Sequence, residues 1–186
     1  SWQDDAWAIF VPGCECGFFG RISRDQVKGF NQVKTTVPVI ERASEMDVPA
    51  LSELLSALFT QETEFKPDTA AQCKGLSMII RNPDLGAILV ARDGPAIVAM
   101  VNLLFTVSTA MGEKVAILED MVVSPNVRGA GIGSALLRHA IKFAADSGVR
   151  RITLLTDREN KSSQRFYSKH GFSESTMVPM RLFLVS

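Results

Sequence analysis

Apolar and polar residues follow a regular pattern of helices and strands from about Val37 onward. Apolar side chains recur at helical spacing between Leu51 and Phe59, which predicts an amphipathic helix with Asp47 as its candidate N-cap. A second, weaker helix is predicted from Asp68 to Arg81. It should end before Pro83, because a residue that precedes proline is disfavoured in the α region.

Short apolar runs predict strands around these helices. VPVIERA lies before them, and GAILVAR, AIVAMVNLLFTVS and VAILEDMVVSP follow. The last three are separated only by turns at Asp93-Gly94-Pro95 and Gly112, so we expect an antiparallel meander. RRITLLT and MVPMRLFLV predict two further strands.

A glycine-rich loop, VRGAGIGSALL, joins the third strand of the meander to another helix. In that helix Ser134, Arg138, Lys142 and Asp146 form a polar stripe, and apolar residues cover another face. Gly148 should end it. A short helix, NKSSQRFYSKHG, is predicted after the next strand.

The position of this loop before a helix is typical of an anion site. The first N–H groups of a helix have no partner within it, and the helix dipole is positive there, so phosphate binds well. The dinucleotide pattern G-x-G-x-x-G/A fails in every register, since Ser134 and Leu136 stand where Gly or Ala is required. The P-loop fails because no Gly-Lys-Ser/Thr follows. A pyrophosphate held by Arg128 and the glycines remains, with a ligand-free turn as the alternative.

Composition narrows the function classes. The 186 residues, 46% of them hydrophobic, suffice for one domain with an appendage. Twenty basic residues balance 20 acidic ones, so we expect neither nucleic acid nor an anionic membrane as a partner. No apolar run is long enough for a membrane span, and the start SWQDDAW lacks the basic region of a signal peptide. Three cysteines do not form a disulfide framework, so a cytoplasmic setting is expected.

Residues 1–36 do not share the pattern of the rest, and residues 37–186 form the predicted domain. The early segment FVPGCECGFFGRIS is rich in glycine and aromatic residues, so it either packs on the domain or mediates association, for example into a homodimer. Cys14 and Cys16 lack the further ligands that zinc needs, and no metal site is predicted.

The stretch LEDMVVSPNVRGAGIGSALL, followed by a strand and ENKSSQRFYSKHGF, resembles the acetyl-CoA-binding half of the GNAT superfamily of N-acetyltransferases. Its Leu-Glu-Asp start resembles the spermidine/spermine acetyltransferase branch. The resemblance is sharp from about Ile117 to Phe172, looser from Val37 to Lys114, and does not cover residues 1–36.

This resemblance implies an α/β (α+β) fold with a mixed, mostly antiparallel central sheet that is flanked by helices. The sheet is implied to splay between two parallel strands, and this wedge admits acetyl-CoA. It also implies a direct attack of an amine on the acetyl group. The residues implied to bind the cofactor are the pantetheine-pairing Met121, Val122 and Val123; the pyrophosphate loop Arg128, Gly129, Ala130, Gly131, Ile132, Gly133 and Ser134; and Asn160. Tyr167 is implied to lie near the cofactor sulfur.

The chemistry requires a base and an acid. A primary amine has a pKa of about 10 and must lose a proton before it attacks. Glu119 lies two residues before the implied pantetheine strand, and either acts as base or acceptor ligand or forms an ion pair. Strand alternation places Asp120 on the opposite face, in a structural role. Tyr167, the sole tyrosine, either protonates the leaving thiolate or packs in the core.

These residues predict an acetyl-CoA-dependent N-acetyltransferase, with a CoA-sensing module as the rival. His139 and His170 fit no triad and are predicted to be structural. A small-molecule amine is favoured over protein N-termini or lysines as acceptor. Its binding residues are expected between Leu51 and Asp84, near Gly112, and in the last strands; Glu62, Glu64 and Asp68 either attract a polycation or form an acidic helix end.

Overall fold

The structure, a computed structural model, describes residues 38–60 and 67–184. The predicted extension 1–36, with Cys14 and Cys16, and the acidic Glu62 and Glu64 lie outside these residues. In chain order the described helices and strands are β1 (Val39–Arg42), α1 (Val48–Phe59), α2 (Thr69–Arg81), β2 (Gly86–Asp93), β3 (Ala96–Ser108), β4 (Glu113–Val123), α3 (Ile132–Asp146), β5 (Ile152–Leu154) and α4 (Lys161–Ser168).

The strands form one sheet in the order β1-β2-β3-β4-β5. All neighbours are antiparallel except β4 and β5, which run parallel. The predicted meander of β2, β3 and β4 is therefore confirmed, as is the mixed, mostly antiparallel sheet flanked by helices. A parallel pair requires a crossover connection, and α3 supplies it between β4 and β5.

Helices cover both faces of this sheet, because strand side chains alternate between two apolar clusters. On one face Leu136 and Leu137 of α3 pack on Leu103 and Leu118, all of them almost fully buried. On the other face Leu51 and Leu55 of α1 and Leu76 of α2 pack on alternate residues of the same strands, namely Ile88, Val90, Met100 and Val122. The sheet is buried on both sides, which explains its nearly continuous apolar runs.

The predicted helix ends agree with the structure, with one difference in capping. Asp68 caps α2, and its Oδ1 accepts a hydrogen bond from the Ala71 N–H at 3.0 Å. Asp47 occupies the N-cap position of α1, yet its carboxylate binds the Ser44 N–H at 2.7 Å and Arg92 Nη2 at 2.8 Å instead of the helix. It thereby ties the start of α1 to the sheet.

The predicted strand MVPMRLFLV is wrong within the described residues. No strand is present there, and the apolar side chains from Met177 to Leu184 are exposed by 74–94%. A strand needs a neighbour for its backbone groups, and Pro179 also removes one N–H donor from this segment. The apolar pattern alone therefore does not produce a strand here.

Candidate functional site

The splayed edge of β4 is the first part of the candidate site. β4 pairs with β3 as far as Val123, but with β5 only as far as Leu118. The Ser124 N–H donates to Val98 on β3, so the preceding residue Val123 directs its backbone groups to the β5 side, and by alternation so does Met121. No strand among the described residues pairs with this stretch of β4. An extended ligand can pair with it.

The start of α3 is the second part. Gly131 is its N-cap, with φ of 78°, and no side chain caps the helix. Asp68 and Asn160 cap α2 and α4 by contrast, whereas the first N–H groups of α3 have no side-chain partner and can bind a ligand. Gly129 has φ of 82°, also in the left-handed region that favours glycine.

The three glycines of the loop have different surroundings. A Cβ atom added at Gly129 or Gly131 would meet nothing within 4 Å, so these two backbones border open space. A Cβ at Gly133 would lie 3.3 Å from Val123 Cγ2, 3.7 Å from Met121 Cε and 3.8 Å from Phe166 Cζ. Gly133 therefore lets α3, the end of β4 and α4 approach each other, whereas the first two glycines keep the anion site open.

The remaining residues of the predicted loop site surround this open space. Arg128 is exposed, and its Nε donates to the Val123 carbonyl at 3.1 Å, which holds the guanidinium between the end of β4 and the loop. Ala130 is exposed, Ser134 is half-buried, and the Ile132 side chain is buried under the helix. The predicted residues of β4 and the loop thus come together at one edge of the sheet.

The short helix α4 carries the other predicted residues. Asn160 is its exposed N-cap, with Oδ1 accepting from the Ser163 N–H at 3.0 Å. Tyr167 packs against the apolar cluster between α3 and the sheet, which we call the α3-side cluster and which includes Leu136 and Leu118. The centroid of its ring lies 5.2 Å from that of Phe166 and 5.7 Å from that of Phe172. Burial raises the pKa of Tyr167 to about 12, because the phenolate would lose its hydration. The hydroxyl therefore keeps its proton at neutral pH.

A β-bulge changes the expected orientation of Asp120. On β3 Val101 pairs with Met121 and Leu103 pairs with Leu118, so Glu119 and Asp120 together face the single residue Asn102. Leu118 and Met121 both pack in the α3-side cluster, which places both intervening acidic residues on the face of α1 and α2. The prediction that Asp120 points to the opposite face from Glu119 is wrong, because the bulge interrupts the alternation. Glu119 itself is exposed.

Beside this bulge, residues of α1, α2, β3 and β4 line an open cavity of about 310 Å³, which we call the bulge cavity. Apolar side chains form most of its walls, and its polar residues are Asp68, Gln72, Asn102 and Asp120. The Asn102 Nδ2 donates to Asp120 Oδ2 at 3.4 Å. Sequence reasoning missed Gln72 and Asn102; the signal for Asn102 was the one amide within the apolar run AIVAMVNLLF.

The two histidines stand apart from this arrangement. His139 is exposed on α3, and His170 Nδ1 lies 2.9 Å from the Phe166 carbonyl, to which it donates at the end of α4. Among residues 38–60 and 67–184, no cluster of three or more His, Cys, Asp or Glu side chains is arranged to hold a metal ion. The helices in the same ranges are all too short or too polar to cross a membrane.

Comparison with known proteins agrees with this geometry. The model of the Acetyltransferase (GNAT) family matches residues 48–172. The uncharacterized N-acetyltransferase YhfO of Bacillus subtilis is 27% identical over 140 residues, which are 74% of this chain and 91% of that protein. Aminoalkylphosphonate N-acetyltransferase of Salmonella typhimurium is 26% identical over 141 residues, 75% of this chain and 88% of that protein.

Solved structures show the same fold. An integron cassette protein from the mobile metagenome of Cole Harbour Salt Marsh superposes with a TM-score of 0.69 at 29% identity, over 79% of this chain and 91% of that one. A possible acetyltransferase from Clostridium difficile 630 superposes with a TM-score of 0.73 at 15% identity, over 80% and 99%. With the family model spanning most of the domain, this chain belongs to the GNAT family of acetyltransferases and is an acyltransferase.

Proposed function

We propose that this protein is an acetyl-CoA-dependent N-acetyltransferase that acts on a small-molecule amine. The observation that carries the proposal is the pairing of an uncapped α3 N-terminus, bordered by open space at Gly129 and Gly131, with an unpaired edge of β4. The first suits a pyrophosphate and the second suits an extended amide-containing arm. The two adjoin each other at Gly133, as the two ends of one ligand require.

In this proposal the backbone of Gly129 to Ser134 holds the pyrophosphate and Arg128 adds a positive charge beside it. Met121 and Val123 pair with the pantetheine arm, whereas the prediction for Val122 is wrong because its backbone groups face Met100 on β3. Asn160 at the start of α4 lies along the cofactor. Acetyl-CoA supplies the acetyl group as a thioester. A β4 backbone N–H on the splayed side is the candidate donor to the oxyanion that forms at the carbonyl.

Glu119 is the proposed base. This exposed residue lies at the bulge, next to the unpaired stretch of β4 and on the face of the sheet that α1 and α2 cover. An amine that reaches the carbonyl from this face would pass its proton to Glu119, directly or through water. Glu119 could occupy the same position either as the base or as a residue that only binds the acceptor. The pH dependence of a Glu119→Gln variant separates these two roles.

Tyr167 is the proposed acid. Its raised pKa keeps the phenol protonated at neutral pH, so a proton is available when the thiolate leaves. Replacement by Phe preserves the ring contacts with Phe166 and Phe172 and removes only the hydroxyl. If the hydroxyl protonates the thiolate, an acetyl thioester of a more acidic thiol should partly rescue the variant, because that thiolate needs no proton.

The resemblance of Leu118-Glu119-Asp120 to the spermidine/spermine branch is the basis for expecting a small amine acceptor in place of a protein. A cavity of about 310 Å³ supports this expectation, because it lies at the small end of ligand sites. We expect the protein to act in the cytoplasm, on the basis of its odd cysteine count. A CoA-sensing module without catalysis is the rival, since it would need the same loop.

Release of free CoA thiol from acetyl-CoA, measured with a panel of amines, tests the proposed function. Hydrolysis without acceptor is subtracted, and the acetylated amine is identified by its added mass. We expect amine-dependent release that falls in Glu119→Gln and Tyr167→Phe. Tight CoA binding with no transfer to any amine or peptide would favour the sensing module instead.

A further inference from the structure

The charged residues that line the bulge cavity are all acidic. Its polar residues include two carboxylates, Asp68 and Asp120, and no Lys, Arg or His is found among its described lining residues. Asp68 is exposed, whereas Asp120 is half-buried at the bulge and has an amide partner in Asn102. Such a cavity attracts a cation and repels an anion, and the effect is larger than in water because apolar walls lower the local dielectric.

Two buried amides give the cavity a second property. Asn102 is 4% exposed and its Oδ1 has no hydrogen-bond partner; Gln72 is 7% exposed and its Nε2 has none. Both Ser52 Oγ and Ser56 Oγ donate to Gln72 Oε1 at 2.9 Å, which orients that amide. A buried polar atom without a partner is costly, and a ligand group able both to donate and to accept would reduce this cost.

Size sets the third property. A volume of about 310 Å³ equals about ten water molecules at the density of the liquid. Leu55, Leu76 and Ile79 supply apolar walls, so the body of the ligand should be apolar. The Salmonella relative is named for aminoalkylphosphonates, whose phosphonate is anionic; this cavity offers an anionic group no basic partner among its described residues.

Resting on the proposed acetyltransferase function, we propose that the bulge cavity is the acceptor site and selects compact amines with an apolar body, a net positive charge and a neutral hydroxyl or amide. Asp120 binds the ammonium group beside Glu119, which the bulge places on the same face. Gln72 and Asn102 bind the neutral polar group at the cavity wall. Asp120 is thus a specificity residue, and Glu119 keeps the role of base.

A matched series of six-carbon probes tests this proposal in the wild-type chain. Three probes carry an amine at one end: hexylamine has no second group, aminohexanol has a hydroxyl at the other end, and aminohexanoate has a carboxylate there. The fourth probe, hexanol, has the hydroxyl but no amine. Binding is measured by calorimetry with and without CoA. We expect aminohexanol to bind at least as tightly as hexylamine, and aminohexanoate and hexanol to bind at least tenfold more weakly. Equal or tighter binding of aminohexanoate would overturn the proposal.

Asp120→Asn is the variant test, because it keeps the side-chain shape and removes the charge. Glu113→Gln, an exposed carboxylate at the other end of the same strand, is its control. We expect hexylamine affinity to fall at least tenfold in Asp120→Asn, hexanol affinity to be unchanged, and the control to match the wild type. Unchanged hexylamine affinity in Asp120→Asn would refute the assignment.

Binding and thiol-release measurements together distinguish a failure of the proposed function from a failure of the cavity assignment. If the chain binds hexylamine through Asp120 but neither binds CoA nor releases thiol, the cavity stands and the acetyltransferase function falls. If it releases thiol only with small anionic amines, the proposed function stands and the cavity assignment falls. If it releases thiol only with a lysine-containing peptide, acetyl transfer stands, but the small-molecule acceptor and the cavity assignment both fall.

Discussion

Titration of Tyr167 tests whether burial raises the pKa of the proposed acid. Burial raises the pKa of this residue from 10 to about 12. Since the chain contains one tyrosine, the phenolate band in the near-ultraviolet reports Tyr167 alone. We expect the folded protein to show its absorbance inflection near 12, and the unfolded chain in urea to show it near 10.

The same burial makes stability depend on pH in a defined direction. Because the folded pKa lies above the unfolded one, the folded chain binds more protons than the unfolded chain between the two values, and stability falls as pH rises through that window. Below pH 10 the contribution is complete. The shift corresponds to a loss of about 3 kcal/mol by the time both states are ionised.

Tyr167→Phe separates this effect from other alkaline titrations. Urea unfolding is followed by circular dichroism for both proteins from pH 8 to 12. The variant should lack the part of the loss that begins near pH 10, so its stability relative to the wild type should rise by about 2 kcal/mol between pH 8 and 12. An inflection near 10 in the folded protein, or parallel stability curves, would refute the account of a desolvated hydroxyl.

Three further changes have expected outcomes. Glu119→Gln should lower turnover by about a hundredfold to ten-thousandfold at neutral pH and less as pH rises and free amine accumulates; a pH–rate profile parallel to that of the wild type would exclude the base role. Burial by itself raises the pKa of Asp47, but hydrogen bonds from the Ser44 backbone and from Arg92 outweigh it and lower the pKa. Asp47→Asn should therefore cost about 1–3 kcal/mol at pH 7 in urea unfolding, with the gap to the wild type closing as pH falls below about 4; a gap that stays constant would contradict this. Gly86→Ala should cost at least about 2 kcal/mol, because its Cβ would lie 2.3 Å from a backbone carbonyl of β3, whereas unfolding midpoints equal to the wild type would exclude that clash.

The local elements were predictable because their signals lie within one segment. The apolar spacing of α1, the start of α2 near Asp68 and its stop before Asn82-Pro83 each depend on neighbouring residues, and all three agree with the structure. The glycine turn before α3 was predictable for the same reason, since glycine permits the left-handed φ values that Gly129 and Gly131 adopt.

The antiparallel meander was predictable from its short turns, but three features that depend on contacts between distant segments were not. The bulge at Glu119 and Asp120 arises from the register between β3 and β4, and the pattern of apolar and polar residues in VAILEDMVV does not predict it. Gln72 lies near the start of α2 with no unusual spacing, and it becomes part of a site only where α2 packs beside the bulge. The segment from Met177 to Leu184 has a strand pattern but no strand partner among the described residues.

The central claim is that the loop before α3 binds the pyrophosphate of CoA, and two glycines that border the same helix test it most directly. Gly131 and Gly148 have φ of 78° and 81°, and both face open space. An aspartate at either position brings similar backbone strain and the same charge. At Gly131 the charge meets the positive end of the helix dipole, and at Gly148 the negative end, so Gly148→Asp should be the less stable variant.

Calorimetric titration of CoA into the wild type and these two variants is the decisive measurement. We expect Gly131→Asp to weaken CoA binding by about a hundredfold or more, because its carboxylate would block the loop backbone and repel the pyrophosphate. Gly148→Asp should bind CoA as the wild type does, despite its lower stability. Wild-type CoA affinity in Gly131→Asp, or an equal loss in both variants, would contradict the assignment of the loop.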